Sequence, residues 1–398
     1  MLNLDEPQSV NSFSLFNSGF RVFFLAAGWF AVVSMSLWLL IYSFGLDPGL
    51  KNWSSLDWHA HEMIYGYGMA AVSGFLLTAT TNWTGKKTLT GFLLLIISLL
   101  WLLARISPFV DIEDNVFIMF VFESMFFTML IAGLLRPIFL SKQWQHLVVV
   151  APILLLFFSN AVFYMGLSGF VQNGVHIGLY AGVYLLLLLI FVLARRVIPF
   201  FIEKGIDTDF KPVNYRWLDQ VMIPLLSLYA VYEVFLFDQL ISTVLSLVLF
   251  IFNMLRLSGW YTKDVWKKPL LWVLVLAYFL ITMSFGLRSI EYIIVMPSFL
   301  SLHLLLVGGV GLITVGMMAR VTLGHTGRNV FEPPGLVKLV FVFLAGALVF
   351  RVVFPLFSMH YYLEWVLLSQ VFWILAFLLF VKIYSGMLVR PRVDGRLG

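Results

Sequence analysis

The sequence predicts an all-α polytopic membrane protein with about 12 transmembrane helices, each needing about 20 apolar residues to cross a bilayer. Three observations carry this. The 398 residues are 61% hydrophobic and only 11% charged. Mean hydropathy is +0.98, far above the range of a soluble domain. Apolar runs of spanning length recur along the chain, at 20–44, 60–81, 88–106, 115–139, 146–166, 174–199, 218–237, 239–257, 269–289, 297–320, 336–356 and 362–386.

Taken in order, the first run follows Asp5 and Glu6. It is too long for a signal-peptide core and lacks a small-residue cleavage site, so it reads as a retained span. The second opens on Trp58-His59-Ala60-His61-Glu62-Met63 and ends on Asn82-Trp83-Thr84-Gly85. The seventh and eighth meet tightly around Phe237-Asp238. Linkers are short throughout, so residues 1–398 read as a single membrane domain. Cysteine is absent, which excludes disulfides, thiolate metal ligands, iron–sulfur clusters and cysteine nucleophiles. The net charge of +5 does not point to nucleic acid, because the basic residues are spread over membrane-flanking loops.

Basic residues set the orientation. Odd-to-even connections carry Lys51 and the span-end residues Arg105, Arg288 and Arg351. Even-to-odd connections are far richer, with Lys86, Lys87, Arg136, Arg195, Arg196, Lys267, Lys268 and Arg328 among them, and Arg390, Arg392 and Arg396 follow the last span. By the positive-inside rule both termini are expected in the cytoplasm.

That orientation puts His59, His61, His176, His303 and His360 in the outer layer, and only His146 and His325 on the cytoplasmic side. The acids Glu62, Glu123, Glu233 and Glu364 lie in the outer layer too. Interfacial enrichment of polar residues accounts for the arginines and glutamates, and less well for the histidines. A repeat adds weight. His61, Gly66, Gly74 and Thr84-Gly85 recur 242 residues later as His303, Gly308, Gly316 and Thr326-Gly327. His176 and Gly182 give a weaker echo in the sixth span. Spans two, six and ten are each second in a set of four, which predicts a pseudo-threefold arrangement of three four-helix units.

Neutral imidazole is a good ligand for haem iron and copper. Residues i and i+2 of a helix point about 200° apart, so His59 and His61 would serve different centres. The repeat nominates His61 and His303 as axial ligands of one haem. His59 would join His176 or His360 at a second centre. Glu62 would orient a ligand imidazole, and Arg105, Arg288 and Arg351 lie at the depth where haem propionates would want cations. On the cytoplasmic side, Arg320, His325 and Arg328 form a dense motif that either locks the tenth helix against the second or holds an anion.

The layout resembles the catalytic subunit of haem-copper oxidases, which has 12 helices in three arcs and metal histidines on helices two, six, seven and ten. The adjacent His-His pair of helix seven is missing here, so oxygen reduction is not carried over. The second-span motif from Trp58 to Gly85, Arg195-Arg196-Val197-Ile198-Pro199-Phe200-Phe201, and the run Arg320 to Arg328 resemble the signatures of the NnrS family over about residues 15–390. Ala194-Arg195-Arg196 departs from the Gly-Gly-Arg expected in the second of these.

The resemblance implies a bacterial inner-membrane protein containing haem, expected to be b-type, and copper. It implies a role in denitrification and in relief of nitric oxide or nitrosative stress. Its partners would be the lipid bilayer, nitric oxide or another small diatomic, and an electron donor, with no nucleic acid. If catalytic, it would be an oxidoreductase handling nitric oxide or related nitrogen oxides. Two other classes are compatible with the sequence: a secondary transporter, which should place polar groups near the midplane, and a haem or copper delivery and assembly factor.

Overall fold

The computed structural model describes residues 13–50, 53–111, 115–291, 293–294 and 296–395. Asp5, Glu6, Lys51 and Arg396 lie outside the described residues. Among the described residues, twelve helices are long and apolar enough to cross a membrane: α1 Gly19–Phe44, α2 Ser55–Thr84, α3 Gly91–Phe109, α4 Asn115–Ser141, α5 Trp144–Leu167, α6 Gly174–Gly205, α7 Arg216–Leu236, α8 Gln239–Trp260, α9 Pro269–Ile290, α10 Phe299–His325, α11 Val337–Phe357 and α12 Tyr362–Val389. None of the described residues forms a strand.

Helix ends follow local chemistry. The second helix begins at Ser55 rather than near residue 60, because Ser54 Oγ accepts the Asp57 backbone N–H at 3.0 Å and extends the helix outward. The α7–α8 turn is made by Phe237 at φ 53° and by Asp238, whose Oδ1 accepts the Ile241 N–H at 2.9 Å. Arg21, fully buried at the start of α1, donates to the carbonyls of Leu388 at 2.9 Å and Arg390 at 2.7 Å. A cation thus satisfies the open carbonyls at the end of α12 and joins the two ends of the chain on one face, called here the terminal face.

Packing repeats with a period of four helices. The first helix of each set packs on the second (α1 on α2, α5 on α6, α9 on α10), and the second packs on the fourth (α2 on α4, α6 on α8, α10 on α12). The sets join through α4–α5, α8–α9 and α12–α1, which closes the ring. Helices α2, α6 and α10 line an apolar central cavity of ≈ 80 Å³, to which Phe24 of α1 also contributes.

The repeat seen in the sequence is also a repeat of geometry. Gly85 and Gly327 follow the ends of α2 and α10 at φ 66° and 75°, the left-handed region where a side chain is strained. Just before them, Thr84 Oγ1 donates to the Thr80 carbonyl and Thr326 Oγ1 to the Thr322 carbonyl, both at 2.7 Å. Directly after His61 and His303 the backbone winds as π-helix, over Glu62–Gly68 and Leu304–Gly311. Tyr232–Leu236 and Val349–Val353 do the same in the following helix of the second and third units. A π-turn frees a carbonyl for other partners; the Gly66 carbonyl accepts the Trp101 indole N–H at 3.1 Å.

Candidate functional site

At the face opposite the termini, each four-helix unit brings a histidine of its second helix to an ionisable side chain of its third. The three resulting clusters differ in chemistry.

The first is a closed charge network. His61, Glu62, Arg105, Glu123 and Asn160 are all buried, from α2, α3, α4 and α5. Arg105 donates to Glu62 Oε2 at 2.8 Å and pairs with Glu123, which also accepts from the Asn160 amide. That contact fixes the amide, so Asn160 Oδ1 faces His61 Nε2 at 2.9 Å. His61 Nδ1 faces Glu62 Oε1 at 3.3 Å. Both ring nitrogens therefore face oxygen atoms that hold the ring in place. Arg105 lies between the two carboxylates and pairs with each. Phe163 stacks on the imidazole at 4.5 Å, and Trp53 and Tyr65 enclose it. The Tyr65 hydroxyl donates to the Gly178 carbonyl at 2.7 Å, tying α2 to α6.

The second cluster lies around His176. Its ring stacks on Tyr180 at 4.2 Å, and Nε2 is buried with no protein partner. Glu233 is within interaction range and shares with His176 a cavity of ≈ 170 Å³ that Tyr184, Tyr229 and Arg288 also line. Arg288 is divided between Glu233 Oε1 at 2.9 Å and Glu291 Oε2 at 2.7 Å. Burial pushes the Glu291 carboxyl above the usual carboxylate range, against the opposing pull of Ser301 and Arg288.

The third cluster joins α1, α2, α10, α11 and α12. His303 Nδ1 donates to the Phe299 carbonyl at 2.7 Å, which leaves Nε2 as the lone-pair nitrogen, and Arg351 donates to it at 3.2 Å. Arg351 also donates to the Tyr362 hydroxyl at 2.8 Å. His59 lies within charge–charge range of both Arg351 and His303. The His59 ring stacks on Trp38 at 4.4 Å with 5° between planes, and its Nδ1 is buried without a partner.

These placements change several pairings drawn from the sequence. His61 and His303 are not brought together; His61 is locked among α3, α4 and α5, and the imidazole beside His303 is His59. His59 does point away from His61, as the spacing requires. His176 sits with Tyr180 and Phe237 rather than with His59, and His360 is exposed beside Tyr361. Arg105 and Arg288 are already committed to carboxylates, so neither is free for a propionate. Glu62 does orient an imidazole, that of His61. Asn160 went unread, although a lone amide inside an apolar run is itself a signal.

At the terminal face, Asn82 Nδ2 donates to His325 Nε2 at 3.3 Å, which locks α10 to α2. Arg320 lies 3.9 Å over the Phe201 ring, and Arg328 donates to the Thr326 carbonyl. Of the three residues expected to act together there, His325 borders a cavity of ≈ 380 Å³.

Among the described residues no group of three His, Asp or Glu side chains is placed to hold a metal ion. A family model described as NnrS protein matches residues 14–392. A search of curated proteins gave no match.

Proposed function

The chain belongs to the NnrS family, and we propose from that starting point that it is an inner-membrane haem protein of the response to nitric oxide. His303 and His59, at the face opposite the termini, would hold the haem. The observation that carries this reading is the tie from His303 Nδ1 to the Phe299 carbonyl. It fixes the tautomer whose free nitrogen is Nε2, as ligating histidines commonly require.

The rest of the third cluster supports it. His59 offers a buried ring nitrogen without a partner. Arg351 supplies a cation that can turn from His303 Nε2 to a propionate carboxylate. Trp38 and Phe299 give flat apolar walls. When bound, haem would supply one-electron chemistry and a metal that nitric oxide arriving from the lipid could reach in place of an imidazole. For copper the donor set does not fit, since among the described residues no three His, Asp or Glu side chains converge.

The central cavity speaks against the transporter reading. Its lining is apolar except for Thr314, whereas a transport path needs polar groups near the midplane. The terminal face, rich in Lys and Arg, is cytoplasmic in this reading.

The test is the absorption spectrum of detergent-purified protein, oxidised and reduced, then with nitric oxide. Haem bands that shift with nitric oxide are expected. A folded, colourless protein overturns the reading.

A further inference from the structure

The largest cavity described above opens on the terminal face, and the mechanism just proposed does not use it. It lies among the ends of α2, α5, α6 and α10 and measures ≈ 380 Å³. Its polar lining comes from Asn82, Trp83, His146, Arg196 and His325, with Thr78 deeper in. The three sequence motifs singled out earlier thus converge here, from α2, α6 and α10.

The electrostatics are one-sided. Among the described residues that line the cavity there is no aspartate or glutamate. Arg196 is exposed at its mouth and within charge–charge range of His146. Arg21 and Arg392 stand in the same relation to His325, and Arg392 is also paired with Asp394 at 2.6 Å. Trp83 stacks on His146 at 4.9 Å with 10° between planes and makes a rigid wall. Arg196, a cation at a membrane interface beside a cavity whose described lining holds no carboxylate, favours an anion.

The remaining wall is apolar. Phe75, Leu193 and Val197 line this cavity and also the central cavity between α2, α6 and α10. The basic mouth therefore continues inward as hydrocarbon-like surface. A small hydrated anion would leave that surface uncovered.

We propose that this cavity binds an amphiphilic anion, with a carboxylate or phosphate head at Arg196 and an apolar body along Phe75, Leu193 and Val197. A membrane lipid and a free fatty acid share this chemistry. The site stands apart from the histidines of the opposite face, and its failure would leave the haem reading untouched.

Native mass spectrometry of the full chain in neutral detergent tests it, with phosphatidylglycerol, phosphatidylcholine, dodecanoate, dodecanol and inorganic phosphate as probes. The wild type should retain phosphatidylglycerol about tenfold better than zwitterionic phosphatidylcholine, or dodecanoate about tenfold better than uncharged dodecanol, the effect of one charge-assisted contact on a head of net negative charge. Which of the two is retained identifies the source. Arg196→Gln should abolish the preference, and Val197→Trp, which fills the cavity without altering charge, should abolish retention. Size-exclusion profiles identify folded variants, and Arg136→Gln serves as a charge control that keeps wild-type binding. Equal retention of charged and uncharged probes overturns the proposal, as does an unchanged preference in Arg196→Gln. Binding of inorganic phosphate as tight as that of the amphiphiles would remove the role of the apolar wall.

Discussion

Arg105 of α3 donates to Glu62 of α2 at 2.8 Å, one residue after His61. Arg351 of α11 reaches His303 of α10 at 3.2 Å. Equivalent helices of two units thus carry an arginine to the same level of the same partner helix. In the first unit the cation meets a carboxylate and the histidine is enclosed by acceptors. In the third it meets the imidazole itself, and that difference separates a structural cluster from the proposed ligand site.

Haem content should follow this division. His303→Ala and His59→Ala are expected to lose the haem bands. His61→Gln, in whatever fraction folds, should keep them, and so should His360→Ala, which removes an exposed ring. Pyridine haemochrome assays on purified variants decide it; loss of haem in folded His61→Gln would return the site to the first unit.

Arg105→Ala should be severely destabilising, by about 3–5 kcal/mol, because it strands Glu62 and Glu123 in a dry interior. Glu123→Gln should cost less, since it removes one charge and keeps a hydrogen-bonding shape. Thermal unfolding in a mild detergent ranks the two. An Arg105→Ala variant as stable as wild type would mean that the network is not closed to water.

Glu233→Gln is expected to be mild, about 1 kcal/mol, the scale of a partly exposed pair. Arg288 keeps Glu291 at 2.7 Å as a second partner. The same unfolding measurement applies, and a loss as large as that of Arg105→Ala would contradict this division of the charge.

Glycine substitutions should separate packing from mere composition. A Cβ at Gly66 would lie 2.5 Å from the Phe30 ring and 2.8 Å from Glu62 Oε2, whereas at Gly386 it meets nothing within 4 Å. Gly66→Ala should therefore lower yield and melting temperature, and Gly386→Ala should leave both unchanged or raise them slightly through helix propensity.

Much of this was legible in the chain. Hydropathy marked every span, since length and apolarity are properties of consecutive residues. The 242-residue repeat was legible because its glycines and threonines recur at fixed offsets, and Gly85 and Gly327 end their helices alike. The layer of histidines at the face opposite the terminal face was legible from depth alone. Their partners were not. Asn160 and Glu123 reach His61 from helices that are distant in sequence, and only packing brings them there. The choice of His59 over His61 as the neighbour of His303 depends on how α2 is rotated, which an apolar pattern buried on many sides does not specify.

The wound segment after His61 has a consequence for how this chain tolerates length changes. Glu62–Gly68 carries one more residue than the turns on either side of it would hold as α-helix. Deleting a single residue there would restore regular winding with the two halves of the helix still nearly in phase, because a π-turn absorbs an extra residue without turning its flanks. His59 and His61 would keep their directions above Gly74 and Thr84, and the loss would fall on the freed carbonyl that the Trp101 indole now uses. An insertion or deletion in a regular turn of the same helix would instead shift its histidine-bearing end by about 100° against the scaffold beneath it.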